Sequence, residues 1–171
     1  MGIKVILIKP FGVADEIVPP MSLGLLATQI RKDHDVKIID ALKDKLDPNA
    51  IIQMVKEESV DIVGFQAWSK DVHEIKKICT GIKKAIPKII TTAGGIHPTM
   101  DPEGTLNFFG DCLDYAYQGE GEIGFKQFVD CVAWGDCSSE SLGKIPGLVW
   151  RDDSVIKVNK NRFIEDLDSV G

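Results

Sequence analysis

The sequence alternates between short apolar runs and segments of helical periodicity, and this alternation limits the folds it can adopt. The first run, residues 3–8, is almost continuously apolar, as expected of a parallel strand that is covered on both faces. Similar runs follow at residues 36–39, 61–66, 88–92 and 113–117, with helical spacing of apolar residues between them. The pattern predicts a doubly wound, flavodoxin-like (Rossmann-like) α/β fold with a five-stranded parallel sheet in the order 2-1-3-4-5.

Two of the expected helices begin with recognisable capping residues. Asp47 precedes Pro48, a pair that typically caps and starts a helix. Asp71 is followed three positions later by Glu74, which resembles a capping box with Asp in the position usually held by Ser or Thr. We therefore expect helices to begin near residues 48 and 72.

The end of the chain differs from the alternating part. Residues 147–151 and 154–158 flank Asp152-Asp153 in the manner of a β-hairpin. We expect this hairpin to lie outside the parallel sheet or antiparallel to it. The sequence thus predicts an α/β domain at residues 1–145 and a segment at residues 146–171 that holds the hairpin and the start of a linker.

Composition and charge argue against several kinds of partner. The 171 residues carry a formal net charge of −6 without a cluster of Lys and Arg, which predicts no nucleic-acid partner. No apolar run approaches the length of a membrane span, so we expect no membrane partner and a cytoplasmic location. The four cysteines form no CxxC pair, and Cys79 falls on an apolar helix stripe where a core residue is expected. No metal ligand is predicted.

The loops that leave the carboxyl ends of the strands hold most of the unusual residues. They are residues 10–12 and 19–24, 67–69, 93–99 and 118–122, which are rich in Gly and Pro and include a Trp and a His. Loops at the opposite edge are short and polar. Because ligands of open α/β sheets bind outside the carboxyl ends of the strands, we expect the only ligand-sized concavity there. Each loop alone could be an ordinary turn or helix start; together they indicate a site.

Several common sites do not match these loops. The first strand is followed by neither GxGxxG nor GxxxxGK(S/T), which argues against dinucleotide and P-loop sites. Gln66 stands where a phospho-receiver needs a carboxylate, and Ser22 and Ser69 lack the GxSxG elbow of hydrolases. The first loop is rich in proline and apolar residues rather than the Ser and Thr of a flavin phosphate loop. These loops favour a large, flat, partly apolar ligand.

Three loops taken in order resemble the N-terminal cobalamin-binding domain of class B radical-SAM enzymes. They are Pro19-Pro20-Met21-Ser22-Leu23-Gly24, Gly94-Gly95-Ile96-His97-Pro98-Thr99 and Gly119-Glu120-Gly121-Glu122. The similarity covers almost the whole chain, and Asp166-Leu167-Asp168 resembles the family's linker into its SAM barrel. The Cys-x3-Cys-x2-Cys triad of that barrel is not in this sequence, so the chain resembles a segment that ends before the catalytic domain.

The resemblance implies a cobalamin-binding module of a radical-SAM methyltransferase or related enzyme. Cobalamin would be its cofactor and its own C-terminal barrel its partner. S-adenosylmethionine and a 4Fe–4S cluster would bind only in that barrel, so this segment is not expected to be catalytic alone. The cofactor-binding residues implied are Phe11, Gly12, Met21 and Leu23 along the corrin, Ser69, Gly94 and Gly95 along the nucleotide tail, and His97, Gly119 and Glu120 nearby.

The sequence departs from one motif of the wider cobalamin-binding group. Relatives of methionine-synthase type carry D-x-H-x-x-G after the first strand, and its His coordinates cobalt from below. Here Asp15 is present, residue 17 is Ile, and no His lies between Ile3 and Arg31. The resemblance therefore implies cobalamin held without a His ligand from this loop, and it does not make His97 a cobalt ligand.

Two other functions stay open from the sequence. The chain could be a degenerate domain of the same family that no longer binds cobalamin and serves substrate binding or scaffolding. It could also be an independent flavin- or nucleotide-binding protein. A Cys-x3-Cys-x2-Cys motif encoded shortly after Gly171 would exclude the last possibility, and mixing the protein with cobalamin separates the first two.

Overall fold

A computed structural model describes residues 2–12 and 18–162 as one mixed sheet with helices on both of its faces. The strands are β1 (Lys4–Lys9), β2 (Asp35–Asp40), β3 (Ile62–Gln66), β4 (Ile90–Gly94), β5 (Tyr115–Tyr117), β6 (Leu148–Asp152) and β7 (Val155–Val158). The helices are α1 (Met21–Ile30), α2 (Pro48–Glu57), α3 (Val72–Ala85), α4 (Ile96–Met100), α5 (Pro102–Phe109), α6 (Glu122–Trp134) and α7 (Ser139–Leu142). The predicted linker at residues 166–168, and Asp15 and Ile17, lie outside the described residues.

The sheet has the order β2-β1-β3-β4-β5-β6-β7, which confirms the predicted order of the first five strands. Those five strands are parallel, whereas β6 pairs antiparallel with β5 and β7 antiparallel with β6. The five predicted parallel strands and the predicted antiparallel hairpin are both confirmed. The number of strands in the sheet differs from the prediction, because the hairpin continues the sheet from five strands to seven. The physical reason lies in β5, whose three residues would otherwise leave an edge of unpaired backbone groups.

Side chains from the segment after β7 fasten this extension. The Asn159 amide donates to the carbonyl oxygens of Leu142 and Ile145, at 2.7 and 2.8 Å. The Gln118 amide donates to the Asn159 carbonyl oxygen at 2.7 Å. The hairpin is thereby tied to α7 and to the loop that follows β5.

Two apolar layers sandwich the sheet. Along β1, Val5 and Leu7 contribute to the layer beneath α1, α6 and α7, and Ile6 and Ile8 to the layer beneath α2, α3 and α5. All four are fully or almost fully buried, as the continuous apolar run predicts. Cys79 is buried in the second layer, which confirms its prediction as a core residue.

Local structure departs from the expectations at two places. Asp47 caps α2 as predicted, accepting from the Ala50 amide at 2.8 Å, but Asp71 makes no capping bond to α3. Asp71 has helical dihedral angles, whereas a capping residue needs an extended backbone. Residues 96–100, expected as part of a loop, form the short helix α4. Within the described ranges no helix combines the length and apolarity needed to cross a membrane.

Candidate functional site

Two adjoining depressions lie at the carboxyl ends of the parallel strands. We call the first the inner cleft: it has a volume of about 240 Å³ and lies between the sheet and the helices α1 and α6. Its floor consists of Leu7, Gly64, Thr92, Gly94 and Tyr117, one or two residues from each of four neighbouring strands. Residues from α1, α6 and the loop 119–121 cover it.

Two positions on the floor of the inner cleft lack side chains. Sheet register sets Leu7, Gly64 and Thr92 side by side on the same face. A Cβ at Gly64 would lie 2.9 Å from Leu7 Cδ2, so a side chain there would require the end of Leu7 to shift. A Cβ at Gly94 would meet only Tyr117 Cβ, at 3.8 Å, so a larger side chain there would extend into the cleft.

Apolar side chains form the roof of the inner cleft. Leu23 and Leu26 project from α1, and Phe125 projects from α6. Leu23 and Phe125 are buried core residues. The cleft is therefore a narrow, mostly apolar slot with walls fixed by the core.

Hydrogen bonds hold the glycine loops at the mouth of the cleft in place. Thr99 Oγ1 donates to the Gly95 carbonyl oxygen at 2.7 Å and accepts from the Gly119 amide at 2.9 Å. Gly95 has a φ of +113° and lies so close to Ala67 that a Cβ would be 3.0 Å from its carbonyl oxygen. Gly95 thus serves the backbone, in contrast to Gly94, whose missing side chain leaves space for a ligand.

Two polar atoms of residues that line the inner cleft lack partners among the described residues. They are the Tyr117 hydroxyl and Glu122 Oε2, both buried. Burial raises the pKa of Tyr117 well above its ordinary value, so this phenol stays neutral. A buried polar atom without a partner is rare. Neither atom has accessible surface, so a ligand in the cleft would not reach it in the structure as it stands.

The second depression, which we call the outer groove, is more open and more polar. It has a volume of about 470 Å³ and lies among residues 9–10, 18–21, 68 and 70–71. Lys9 Nζ donates to the Val18 carbonyl oxygen at 2.8 Å and lies 3.7 Å from Asp40 Oδ2, fixing one wall. Burial raises the pKa of Asp71, although Lys70 and Lys9 act in the opposite direction.

Ser22 and Gln66 line both depressions and form the wall between them. Gln66 Nε2 donates to Ser22 Oγ at 2.8 Å, joining the end of β3 to the start of α1. A ligand that fills both depressions must pass this pair.

A third depression lies at the opposite end of the sheet, so the prediction that concavity is confined to the carboxyl ends was wrong. It has a volume of about 410 Å³ and includes His34, Lys126 and Asp130. These groups satisfy one another: His34 Nε2 lies 3.0 Å from Asp130 Oδ1, and Lys126 Nζ 2.8 Å from Asp130 Oδ2. Their pairing joins α6 to the start of β2.

Most of the residues expected to bind the cofactor line one of the two adjoining depressions. Met21 lies in the outer groove, and Leu23, Gly94, Gly95, Gly119 and Glu120 lie in the inner cleft. Phe11, Gly12, Ser69 and His97 line neither among the described residues. The prediction for Phe11 and Gly12 concerns a loop that continues into residues 13–17, outside the described ranges.

Ser69 and His97 contact each other instead. His97 Nδ1 lies 3.1 Å from Ser69 Oγ, and the His97 amide donates to the Ala67 carbonyl oxygen at 3.1 Å. These contacts join α4 to the loop after β3. The described residues contain no cluster of three or more metal-ligating side chains.

Sequence reasoning missed the floor of the inner cleft. Gly64, Thr92 and Tyr117 lie within strands, where they look like ordinary sheet residues. Gly64 did carry a usable signal, because glycine in the interior of a buried strand often marks the close approach of a ligand. The tyrosine hydroxyl carried none, since its isolation depends on the packing around it.

Comparison with known proteins identifies the family. The family model described as "B12 binding domain" matches residues 10–129, and the chain belongs to this family. An uncharacterized methyltransferase of Pyrococcus horikoshii, PH0819, is 31% identical over 153 residues, which cover 89% of this chain and 32% of that protein. The chain thus spans about a third of the length of this curated relative.

Solved structures with the same fold include parts of two larger enzymes. The radical S-adenosylmethionine methyltransferase TsrM from Kitasatospora setae, with cobalamin and a 4Fe–4S cluster bound, matches at a TM-score of 0.79 and 21% identity, over 97% of this chain and 30% of its own. The cobalamin-dependent S-adenosylmethionine radical enzyme OxsB, with aqua-cobalamin and S-adenosylmethionine bound, matches at a TM-score of 0.80 and 20% identity. The match covers 95% of this chain and 23% of the OxsB chain. The family resemblance found in the loops is confirmed.

Proposed function

We propose that this chain is the cobalamin-binding module of a radical-SAM protein, most simply a methyltransferase. The observation that carries the proposal is the inner cleft, into which Gly94 projects no side chain and which adjoins the outer groove. Membership of the B12-binding family supports it, as does the similarity to the methyltransferase PH0819 and to TsrM and OxsB.

The residues present fit the two ends of cobalamin. Its nucleotide tail is narrow and carries a flat aromatic base, which suits a slot walled by Leu23, Leu26 and Phe125. Its corrin ring is too broad for this slot and would lie over the outer groove. There Met21 and Trp68 expose apolar surface, with Met21 69% exposed, that a flat macrocycle can cover.

The bound cobalt would receive no histidine from the described residues of the outer groove. No His lines it within the described ranges, and His97 is engaged with Ser69. The loop position of the D-x-H-x-x-G histidine is Ile17 in the sequence. We therefore propose that the protein holds the corrin from one side with its nucleotide base removed from cobalt and inserted in the inner cleft.

Bound cobalamin would supply a cobalt centre that can carry a methyl group. The chain's own residues position that group and keep the nucleotide tail away from water. In this proposal residues 1–145 form the cofactor-binding unit and residues 146–171 lead, through the hairpin, towards a C-terminal barrel. S-adenosylmethionine, the 4Fe–4S cluster and the substrate would belong to that barrel.

The test is to mix the 171-residue chain with hydroxocobalamin and remove free cofactor by gel filtration. We expect one cobalamin per chain, a visible spectrum without the benzimidazole ligand, and a Co(II) electron paramagnetic resonance spectrum without nitrogen splitting. Retained nitrogen splitting would refute the proposed binding mode. If neither this chain nor the full-length product of its gene binds cobalamin, the domain is a degenerate one that serves scaffolding or substrate binding.

A further inference from the structure

Two cysteines lie against each other in the apolar layer beneath α2, α3 and α5, on the face of the sheet opposite the inner cleft. Cys79 is on α3 and fully buried, and Cys112, at the end of the short turn that precedes β5, is 8% exposed. The Cys79 thiol donates to the Cys112 carbonyl oxygen at 2.6 Å, and Thr91 Oγ1 donates to the same oxygen at 2.8 Å. The Cys112 thiol lies 3.1 Å from the Phe109 carbonyl oxygen of its own turn. The backbone of Cys112 is therefore fixed against the side chain of Cys79.

The two thiols differ in how readily they lose a proton. A hydrogen bond between them, with Cys79 as donor, lowers the pKa of Cys112 against the opposing effect of burial and raises the pKa of Cys79. The Thr80 hydroxyl and the Lys76 ammonium also lower the pKa of Cys112. Lys76 Nζ is held there by the Phe108 carbonyl oxygen, to which it donates, and lies 4.5 Å from the centroid of the Phe108 ring. Cys112 is therefore the thiol of the pair that ionises first, and the thiolate is the reactive form of cysteine.

We propose that Cys79 and Cys112 form a redox-active dithiol that peroxide oxidises to a disulfide. Cys112 supplies the attacking thiolate, and Cys79 supplies the thiol that resolves the first product. The inference goes beyond the proposed function, because it concerns the other face of the sheet and involves no cobalamin. The disulfide ties α3 to the turn that leads into β5.

The reaction balances with peroxide as the oxidant. The Cys112 thiolate attacks one oxygen of hydrogen peroxide, the O–O bond breaks, and the leaving hydroxide takes up the proton that Cys112 released. The Cys79 sulfur then attacks the sulfur of the resulting sulfenic acid; the S–S bond forms, the S–O bond breaks, and the leaving hydroxide takes up the Cys79 proton. One hydrogen peroxide thus oxidises two thiols to one disulfide and leaves two molecules of water.

The chain contains its own comparison pair. Cys131 lies near the end of α6, and Cys137 follows that helix and is exposed. The Asp136 amide donates to the Cys131 carbonyl oxygen at 3.0 Å, so the chain turns back towards Cys131 just before Cys137. Burial of each sulfur raises the pKa of both thiols. If exposure governs oxidation, this pair reacts first; if the contacts around Cys112 govern it, the buried pair reacts first.

The test treats the reduced chain at pH 7 with an equimolar amount of hydrogen peroxide, alkylates the remaining thiols in denaturant and identifies the digested peptides by mass. We expect a disulfide between Cys79 and Cys112 as the main product, formed about tenfold faster than any product at Cys131 or Cys137. In concentrated urea this preference should vanish, because it depends on contacts of the folded chain.

Single variants separate the roles of the two cysteines. Cys79→Ala should stop at the sulfenic acid of Cys112, which dimedone traps, and should react more slowly because the hydrogen bond that favours the thiolate is gone. Cys112→Ala should leave Cys79 reduced. Cys137→Ala is the matched control, and it should form the disulfide between Cys79 and Cys112 at the rate of the unchanged chain.

The unchanged chain decides the inference even where a variant fails to fold. A product at Cys131 or Cys137 that forms before the disulfide between Cys79 and Cys112 overturns it. The same preference for the buried pair in concentrated urea also overturns it, since the folded contacts would then play no part.

Discussion

The inner cleft and the outer groove adjoin, yet they are built in different ways. The floor of the inner cleft is set by the register of central parallel strands, and its roof consists of core residues of α1 and α6. The outer groove is made of loop residues, including Pro19 and Pro20, and exposed side chains such as Met21 and Trp68. Binding specificity should therefore reside in the inner cleft, and the outer groove should tolerate change.

This difference has an energetic basis. Sheet positions flanked on both sides by paired strands cannot move without breaking the hydrogen-bond ladder, so a side chain added there must occupy space that the ligand needs. Loop positions with open surroundings can adjust. Substitutions placed along the path from cleft to groove should thus have progressively smaller effects.

Gly94→Leu should have the largest effect on binding. Its side chain would project into the inner cleft from a position where the Cβ itself meets only Tyr117 Cβ at 3.8 Å. We expect the cobalamin affinity to fall roughly a hundredfold or more while the fold persists, because the core repacks little around a filled slot. Isothermal titration with hydroxocobalamin measures the change.

Gly24→Leu is the matched control for that substitution. Gly24 lies on α1, lines neither depression, and a Cβ there would meet nothing within 4 Å. Its affinity should equal that of the unchanged chain. Equal losses of affinity in both variants would show that a bulky side chain anywhere near α1 disturbs binding. That result would contradict a specific role for the inner cleft.

Gly95→Ala tests whether the mouth of the cleft differs from its floor. At φ +113°, with Ala67 O 3.0 Å from the added Cβ, alanine should lower the free energy of unfolding by about 1–3 kcal/mol. Gly94 lies at the end of β4 and has no positive φ, so Gly94→Ala should change the free energy of unfolding by less than about 0.5 kcal/mol. Urea unfolding compares the two, and similar losses would contradict the division of roles between adjacent glycines.

Ser22→Ala examines the wall that the two depressions share. Removing Ser22 Oγ leaves Gln66 Nε2 without its 2.8 Å acceptor, so Gln66 is less firmly held beside the ligand path. We expect a loss of about threefold in cobalamin affinity, the size typical of one partly exposed hydrogen bond. Thr28→Ala, which removes a hydroxyl of α1 that bonds to the Gly24 carbonyl oxygen, should have no effect on affinity. Equal affinities for Ser22→Ala and the unchanged chain would show that the pair does not border the ligand.

Strand order and the position of the site could be predicted from sequence because both follow from local pattern. Continuous apolar runs such as residues 3–8 predict strands covered on both faces, and parallel strands bring their carboxyl ends to one edge. The hairpin could also be predicted from the sequence. Its pairing with β5 could not be predicted, because that pairing depends on the shortness of β5.

The inner cleft could not be predicted in the same way, because it depends on contacts between distant segments. Leu7, Gly64 and Thr92 are far apart in sequence and become neighbours only through sheet register. Tyr117 looks like a core aromatic residue, and it is one by burial. Only the packed structure shows that its hydroxyl has been left without a partner.

His97→Ala should have the smallest effect, and it tests whether the site extends beyond the two depressions. His97 follows the glycine pair in sequence, which made it a candidate for the corrin surroundings, but it lines neither depression and its Nδ1 lies 3.1 Å from Ser69 Oγ. We expect cobalamin affinity within about twofold of the unchanged chain and an identical Co(II) electron paramagnetic resonance spectrum. Ser69→Ala removes the same contact while keeping the imidazole, and it should behave alike. If nitrogen splitting appears in the unchanged chain and in Ser69→Ala but is lost in His97→Ala, the imidazole coordinates cobalt, and the cofactor must then lie across α4 rather than over the outer groove.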